Sequence, residues 1–294
     1  MTEQIKELII KNKPNISKSS VSTYLSILKN LYINVFKDDK FDLKNFENTD
    51  KILHCLKDLE PNKRKTILAS LVVITDNKKY RDQMLKDIEA YTSNESKQLK
   101  NDKQYESWLD TSEIDDTYKT MEQVVKHLYK KKELTMSDLQ EIQNYIILCV
   151  LSGKFIPPRR SKDYVDFKIK DIDHDKDNYI EKKNMIFNSY KTSSTYHRQE
   201  LPIPVDLMKI LNKWIKVNPT DYLFFDSNGK KLTNVKLTQR LNKIFGKKAS
   251  VNQLRHTYLS NKYQDTIKLN KEMEDDMKAM GSSRNQEKIY IKEN

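Results

Sequence analysis

The chain has 294 residues, with 54 Lys and Arg against 42 Asp and Glu, for a formal net charge of +12. Hydrophobic residues make up 37% of it, which is polar but enough to build cores, so wholesale disorder is excluded and two domains are expected at this length. The four glycines stand far apart, at Gly153, Gly229, Gly246 and Gly281, and this rules out both the G-x-G-x-x-G turn and the P-loop, which need clustered glycines for close backbone approach to phosphate.

Cys55 and Cys149 are the only cysteines, each in an apolar stretch. Two buried thiols in a reducing compartment are expected, and a disulfide framework is excluded. The five histidines show no i, i+4 pairing and no cysteine neighbours at ligand spacing. No structural metal and no cofactor is expected, although 42 acids leave carboxylate-held Mg²⁺ open. No apolar run approaches a membrane span, and MTEQIKELIIKNKPN lacks the zones of a signal peptide. The expectation is a soluble, intracellular protein without a membrane partner.

The excess charge is uneven. Residues 1–100 carry 19 basic and 14 acidic side chains, residues 101–150 carry 6 and 10, residues 151–250 carry 21 and 11, and residues 251–294 carry 8 and 7. Two basic regions around an acidic bridge suggest two modules facing a polyanion, with nucleic acid the leading candidate. A lysine-rich surface that merely keeps the chain soluble is the competing reading.

In chain order, the first ninety residues read as four or five short helices. Ser20-Val21-Ser22-Thr23 can cap a helix with Tyr24, Leu28, Leu31 and Tyr32 on one face, and Pro61 is placed to open another carrying Ile67, Leu68, Leu71 and Val72. Residues 93–118 are polar, with few sizeable apolar anchors, and read as a linker leading into the second domain. Residues 137–152 are helical by pattern and stop at Gly153. Pro157 and Pro158 then stiffen the approach to a helix starting near Arg159. Residues 179–204 change to the period of three short strands, closed by Pro202 and Pro204, and helical patterns follow from there. The expected domains are 1–92 and 119–294, on either side of that linker.

Four motifs in this order carry chemistry. In RRSKDYVDFKIKDI, Arg160 is followed by Asp163, Tyr164, Phe167 and Asp171-Ile172; YKTSSTYHRQELPIP places Lys191 ahead of a strand ending in Pro-x-Pro; NQLRHTYLSNKY contains Arg255; and MGSSRNQEKIYIK contains Tyr290. Together these resemble the boxes of the tyrosine recombinase (phage-integrase-type) family, of the kind found in mobile elements and large DNA viruses. The resemblance covers roughly residues 115–294, and residues 1–90 only as a helical domain of the kind the family carries.

The resemblance implies a mainly α fold with a small antiparallel sheet, in which an N-terminal helical DNA-clamping domain joins a DNA breaking-rejoining catalytic domain. It implies Arg160 and Arg255 as the pair that stabilises the phosphorane-like transition state, Lys191 as general acid for the leaving 5′-oxygen, and Tyr290 as nucleophile. Guanidinium groups suit the first role because they stay charged and bind two oxygens each, and the covalent link conserves phosphodiester energy, so neither ATP nor metal is needed. Asn252 and Ser282 stand where the family usually has histidine, or at the second position histidine or tryptophan. Arg159, Lys162, Arg198 and His256 are candidate DNA contacts. Duplex DNA is the implied partner, with self-assembly into a tetramer on it, at a nuclear or viral replication site.

Each residue has a plainer alternative. Arg159 and Arg160 fit ordinary helix-start basics, Lys191 competes with Lys182 and Lys183, Arg255 fits a structural ion pair, and His256 and Tyr290 fit packing positions. At the level of function, the alternatives to a site-specific recombinase or integrase are a type IB topoisomerase, which relaxes supercoils by the same chemistry, and a DNA-binding protein that has lost cleavage. A DDE-type integrase would leave the ordered boxes unexplained.

Overall fold

The computed structural model describes residues 1–37 and 40–283, and of Lys103 the backbone alone. The chain divides into two compact units, Met1–Lys100 and Asn101–Asn294. Among the described residues the fold is mainly α with one small antiparallel sheet.

In the first unit, α1 (Thr2–Asn12), α2 (Lys18–Phe36), a 3-10 turn (Leu43–Glu47), α3 (Thr49–Leu56), α4 (Pro61–Thr75) and α5 (Lys78–Ser96) surround a single core. The cap of α2 is Ser17, whose hydroxyl accepts from the Ser20 N–H at 3.1 Å. The expected capping run 20–23 therefore lies inside the helix, because an earlier serine already satisfies the free amide three residues ahead. Leu28, Leu31 and Tyr32 are buried as their spacing requires, and Pro61 opens α4, where its missing N–H costs nothing. Arg64 grips the buried Asp87 through two hydrogen bonds of 2.8 and 2.7 Å. Cys55 is exposed, contrary to expectation: the inner side of α3 is taken by Thr49, Ile52 and Leu56. Cys149 is buried, and burial pushes its thiol up to about 12.

The stretch 93–118, expected as linker, is mostly helix. It holds the end of α5, all of α6 (Asp102–Ser107) and the start of α7 (Thr111–Leu128). Asn101 and Gln104 form a capping box for α6, and Ile114 begins a buried stripe continued by Tyr118, Met121 and Val125. Tyr118 is what extends the period of Ile114 into a helical stripe.

At the centre of the second unit lies α8 (Met136–Leu151), opened by a capping box of Thr135 and Asp138. Twelve of its sixteen residues are buried, as a helix apolar on all sides must be. Gly153, just beyond its end, has φ +85°, and a Cβ there would meet the Tyr258 ring at 2.4 Å. After α9 (Ser161–Val165), strands β1 (Tyr179–Glu181), β2 (Asn184–Phe187) and β3 (Gln199–Pro202) form an antiparallel sheet in the order β1-β2-β3, registered by Ile180↔Met185 and Met185↔Leu201. One turn of helix, α10 (Ser193–Tyr196), sits in the β2–β3 connection. Then follow α11 (Val205–Val217), α12 (Asn234–Phe245), α13 (Val251–Lys262) and α14 (Gln264–Ala279). The end of α14 is a Schellman motif, in which the N–H of Gly281 bonds Lys278 O and that of Ser282 bonds Met277 O. No described helix is long and apolar enough to cross a membrane.

Candidate active site

Arg160 is the N-cap of α9, extended at φ −68° and ψ 152°, so the chain turns into the helix immediately after it. This places Asp163 one turn on, with its N–H on Arg160 O at 3.0 Å and its side chain 2% exposed. Burial pushes the Asp163 carboxyl upward, and Arg159, Arg160 and Arg255 oppose that shift. Arg255, on α13, is in turn weakened as a base by burial and by repulsion from Arg160, with attraction to Asp163 acting the other way. The fold thus brings residues from α9 and α13 to one carboxylate.

The three guanidinium groups are not equivalent. Arg159 donates from Nε to Asp163 Oδ2 at 2.9 Å and from Nη1 to Gln199 Oε1 at 2.8 Å, and its guanidinium lies 4.0 Å from the Phe187 ring centroid and 5.0 Å from that of Tyr190. Expected as a phosphate contact, it is instead engaged by protein on several sides. Among the described residues the Arg255 guanidinium has one weak partner, Asn252 Oδ1 at 3.4 Å, and the Arg160 guanidinium has no hydrogen-bond or ion-pair partner. Arg159 holds Asp163 Oδ2, whereas Oδ1 is buried without a hydrogen-bond partner, and Arg160 and Arg255 present two half-buried positive charges with no ion-pair partner among the described residues. Such a pair binds an anion with four suitably placed oxygens or fewer, and a phosphodiester meets that description.

Lys191 lies in the β2–β3 connection, exposed and without a partner among the described residues. Its competitors Lys182 and Lys183 form the β1–β2 turn at the opposite end of β2. Arg159 stacks on Phe187 and Tyr190, which belong to the Lys191 end. The end of β2 that leads to Lys191, and not the Lys182–Lys183 turn, is therefore the one beside Arg159.

The remaining expected residues are dispersed. Lys162 is exposed on α9, and His256 is exposed on α13 beside Arg255. Arg198 is tied at the sheet surface to Glu181 (3.3 Å) and Glu200 (3.1 Å), exposed pairs weak enough for a phosphate to replace. Asn252 touches Arg255, whereas Ser282 closes the end of α14. Tyr290 lies outside the described residues. Among those described, no group of three His, Cys, Asp or Glu side chains is placed to hold a metal.

Sequence reasoning missed Asn178. It is fully buried and all its amide capacity is used: Nδ2 donates to Asp163 O (2.9 Å) and Ser189 O (2.8 Å), while Oδ1 accepts from the N–H groups of Asn188 (2.9 Å) and Ser189 (2.8 Å). Nothing in an Asp-Asn-Tyr run at the start of a strand distinguishes such a hub from a turn asparagine.

No family model and no curated protein matches the sequence. Among solved structures, the fold is similar to a crystal structure of lambda integrase residues 75–356 bound to DNA, at 15% identity and TM-score 0.47, covering 90% of this chain and 86% of that one. It is also similar to a lambda integrase dimer (residues 75–356) bound to a COC′ core site, at 14% identity and TM-score 0.46, covering 90% and 89%. A crystal structure of XerA recombinase matches at 13% identity and TM-score 0.36, covering 88% and 83%. These neighbours are tyrosine recombinases.

Proposed function

We propose that the protein binds duplex DNA and that its second unit breaks and rejoins a strand through a 3′-phosphotyrosine on Tyr290, as a site-specific recombinase or integrase. The observation that carries this reading is the placing of Arg160 and Arg255, neither with an ion-pair partner among the described residues, about the buried carboxylate of Asp163, one oxygen of which Arg159 holds. The phenolic oxygen of Tyr290 attacks phosphorus, the bond to the 5′-oxygen breaks, and Lys191 supplies the proton that oxygen needs. The two guanidinium groups take up the charge that develops on the non-bridging oxygens. Four copies assemble on DNA in this reading, and a type IB topoisomerase would use the same residues on one duplex without exchange.

Asn252 and Ser282 favour a second reading, a DNA-binding protein without cleavage. Both side chains form hydrogen bonds, but neither takes up a proton near neutral pH, so the phenol lacks the usual base. The test starts from a duplex site that the unmodified protein selects from a randomised pool. A nicked version of that site prevents religation. A covalent protein–DNA band supports cleavage; retention of the site without any such band supports the binding-only reading.

A further inference from the structure

Arg159 and Asn178 lie outside the set that would touch DNA, yet both fasten the connection that carries Lys191. That connection spans residues 188–198, between the end of β2 and the start of β3. Its first residues, Asn188 and Ser189, hang on Asn178, which also holds the backbone carbonyl of Asp163. Arg159 clasps both ends of the same connection: its guanidinium covers Phe187 and Tyr190 on one side and bonds Gln199 on the other, while Asp163 fixes its Nε. Tyr190 completes the enclosure by donating its hydroxyl proton to His197 O at 2.6 Å. Lys191 itself has no partner among the described residues that would hold it in place.

We infer that Arg159, seconded by Asn178, is a positioning residue that sets Lys191 against the Arg160–Arg255 pair, so that the general acid and the anion-binding arginines share one anchor, Asp163. This rests on the function proposed above. A flexible lysine on an exposed connection is a poor proton donor unless its base is fixed, because general-acid catalysis requires the donor within hydrogen-bond reach of the leaving oxygen. Arg159 suits the task for a geometric reason: a planar fork can bond a carboxylate and an amide while its faces lie on two rings. Lysine keeps the charge and loses that geometry.

The test separates positioning of the acid from general damage. In a duplex whose 5′-bridging oxygen is replaced by sulfur, the leaving group departs as a thiolate, whose conjugate acid has a reference pKa of about 8.5 against a far weaker alcohol, so no proton donor is needed. Full-length Arg159→Lys should form covalent adduct about 100-fold more slowly than the unmodified protein on the oxygen duplex, and within about threefold of it on the sulfur duplex. Lys191→Ala should show the same pattern, whereas Arg255→Ala should be slow on both. Gln199→Leu, which releases only the β3 end, should repeat the Arg159→Lys pattern more weakly. Equal loss on both duplexes, or none on either, would overturn the inference. Amide hydrogen exchange gives an arm independent of cleavage: residues 188–198 should exchange faster in Arg159→Lys with α13 unchanged, and unchanged exchange there would also overturn it. Absence of adduct from the unmodified protein on both duplexes counts against the proposed function itself, while the exchange result still decides whether Arg159 holds the connection.

Discussion

Arg160 and Arg255 are far apart in the chain and on different helices, yet the fold sets Arg160 close enough that, after burial, its repulsion is the next cause lowering the pKa of Arg255. Like charges are held together only where something else offsets the cost. Asp163 offsets part of it, but its carboxylate is engaged by Arg159. A bound phosphate would relieve the rest, which is the physical sense in which the pair is built for an anion.

Removing one of the pair should therefore stabilise the folded protein while abolishing function. Arg255→Gln is expected to raise Tm by about 2–4 °C, the shift that corresponds to about 1 kcal/mol in a domain of this size. Thermal unfolding of the two proteins at low salt checks this. A drop in Tm of similar size would mean that Arg255 is a structural arginine.

DNA affinity should fall steeply with salt. If six phosphates or more are neutralised, raising salt from 50 to 200 mM weakens binding about 1000-fold. Titration of a labelled duplex at several salt concentrations gives the slope. The block 151–250, with 21 basic and 11 acidic side chains, should supply most of it, so the isolated second unit should keep the larger share of that slope.

The two units should separate by limited trypsin treatment. Lys97 and Lys100 lie between the end of α5 and the start of α6, beside the exposed Leu99. Cleavage is expected there, releasing a fragment from about Asn101 onward that keeps its helical circular dichroism. First cleavage after Lys119, within α7, would contradict a junction at Lys100.

The acid side of the stability curve should depend on the start of α8. Asp138 accepts from Lys131 Nζ at 2.7 Å and from Thr135, which holds its carboxyl down at about 2. A carboxyl depressed in the folded state contributes stability above its unfolded value of about 3.9, and this is lost as pH falls toward 2. Asp138→Asn should be less stable than the unmodified protein at pH 6, and the gap should narrow as pH falls below about 4 and close only near pH 1. A gap of the same size at pH 6 and at pH 2 would mean the carboxylate charge is not what stabilises the cap.

Much of the second unit was legible because its signals are local and redundant. The helix ending at Gly153 and the strand periods of 179–204 each follow from spacing or backbone chemistry, whereas Arg160 is singled out only by the family resemblance. What escaped depends on contacts across the chain. Arg159 and Arg160 are indistinguishable in sequence, and only Phe187, Tyr190 and Gln199 decide that the first is held by protein. Asn178 gave no signal because its partners, Asp163 and Ser189, flank it at distances set by the fold. The helices within 93–118 are hidden by their polarity, although Ile114 and Tyr118 are buried on α7, and Cys55 is misplaced because an apolar neighbourhood in sequence does not say which side of a short helix faces inward.

The most direct test of the central claim is identification of the residue that becomes joined to DNA. The unmodified protein, Tyr290→Phe and Arg255→Ala are each incubated with the nicked duplex, and any covalent product is digested and mapped by mass spectrometry. A phosphotyrosine peptide containing Tyr290 is expected from the unmodified protein alone. Tyr290→Phe should yield no adduct while binding the duplex with nearly unchanged affinity, because only the attacking oxygen is removed, and Arg255→Ala should yield little because transition-state charge is left unpaired. An adduct that persists in Tyr290→Phe, or maps to another residue, would contradict the account.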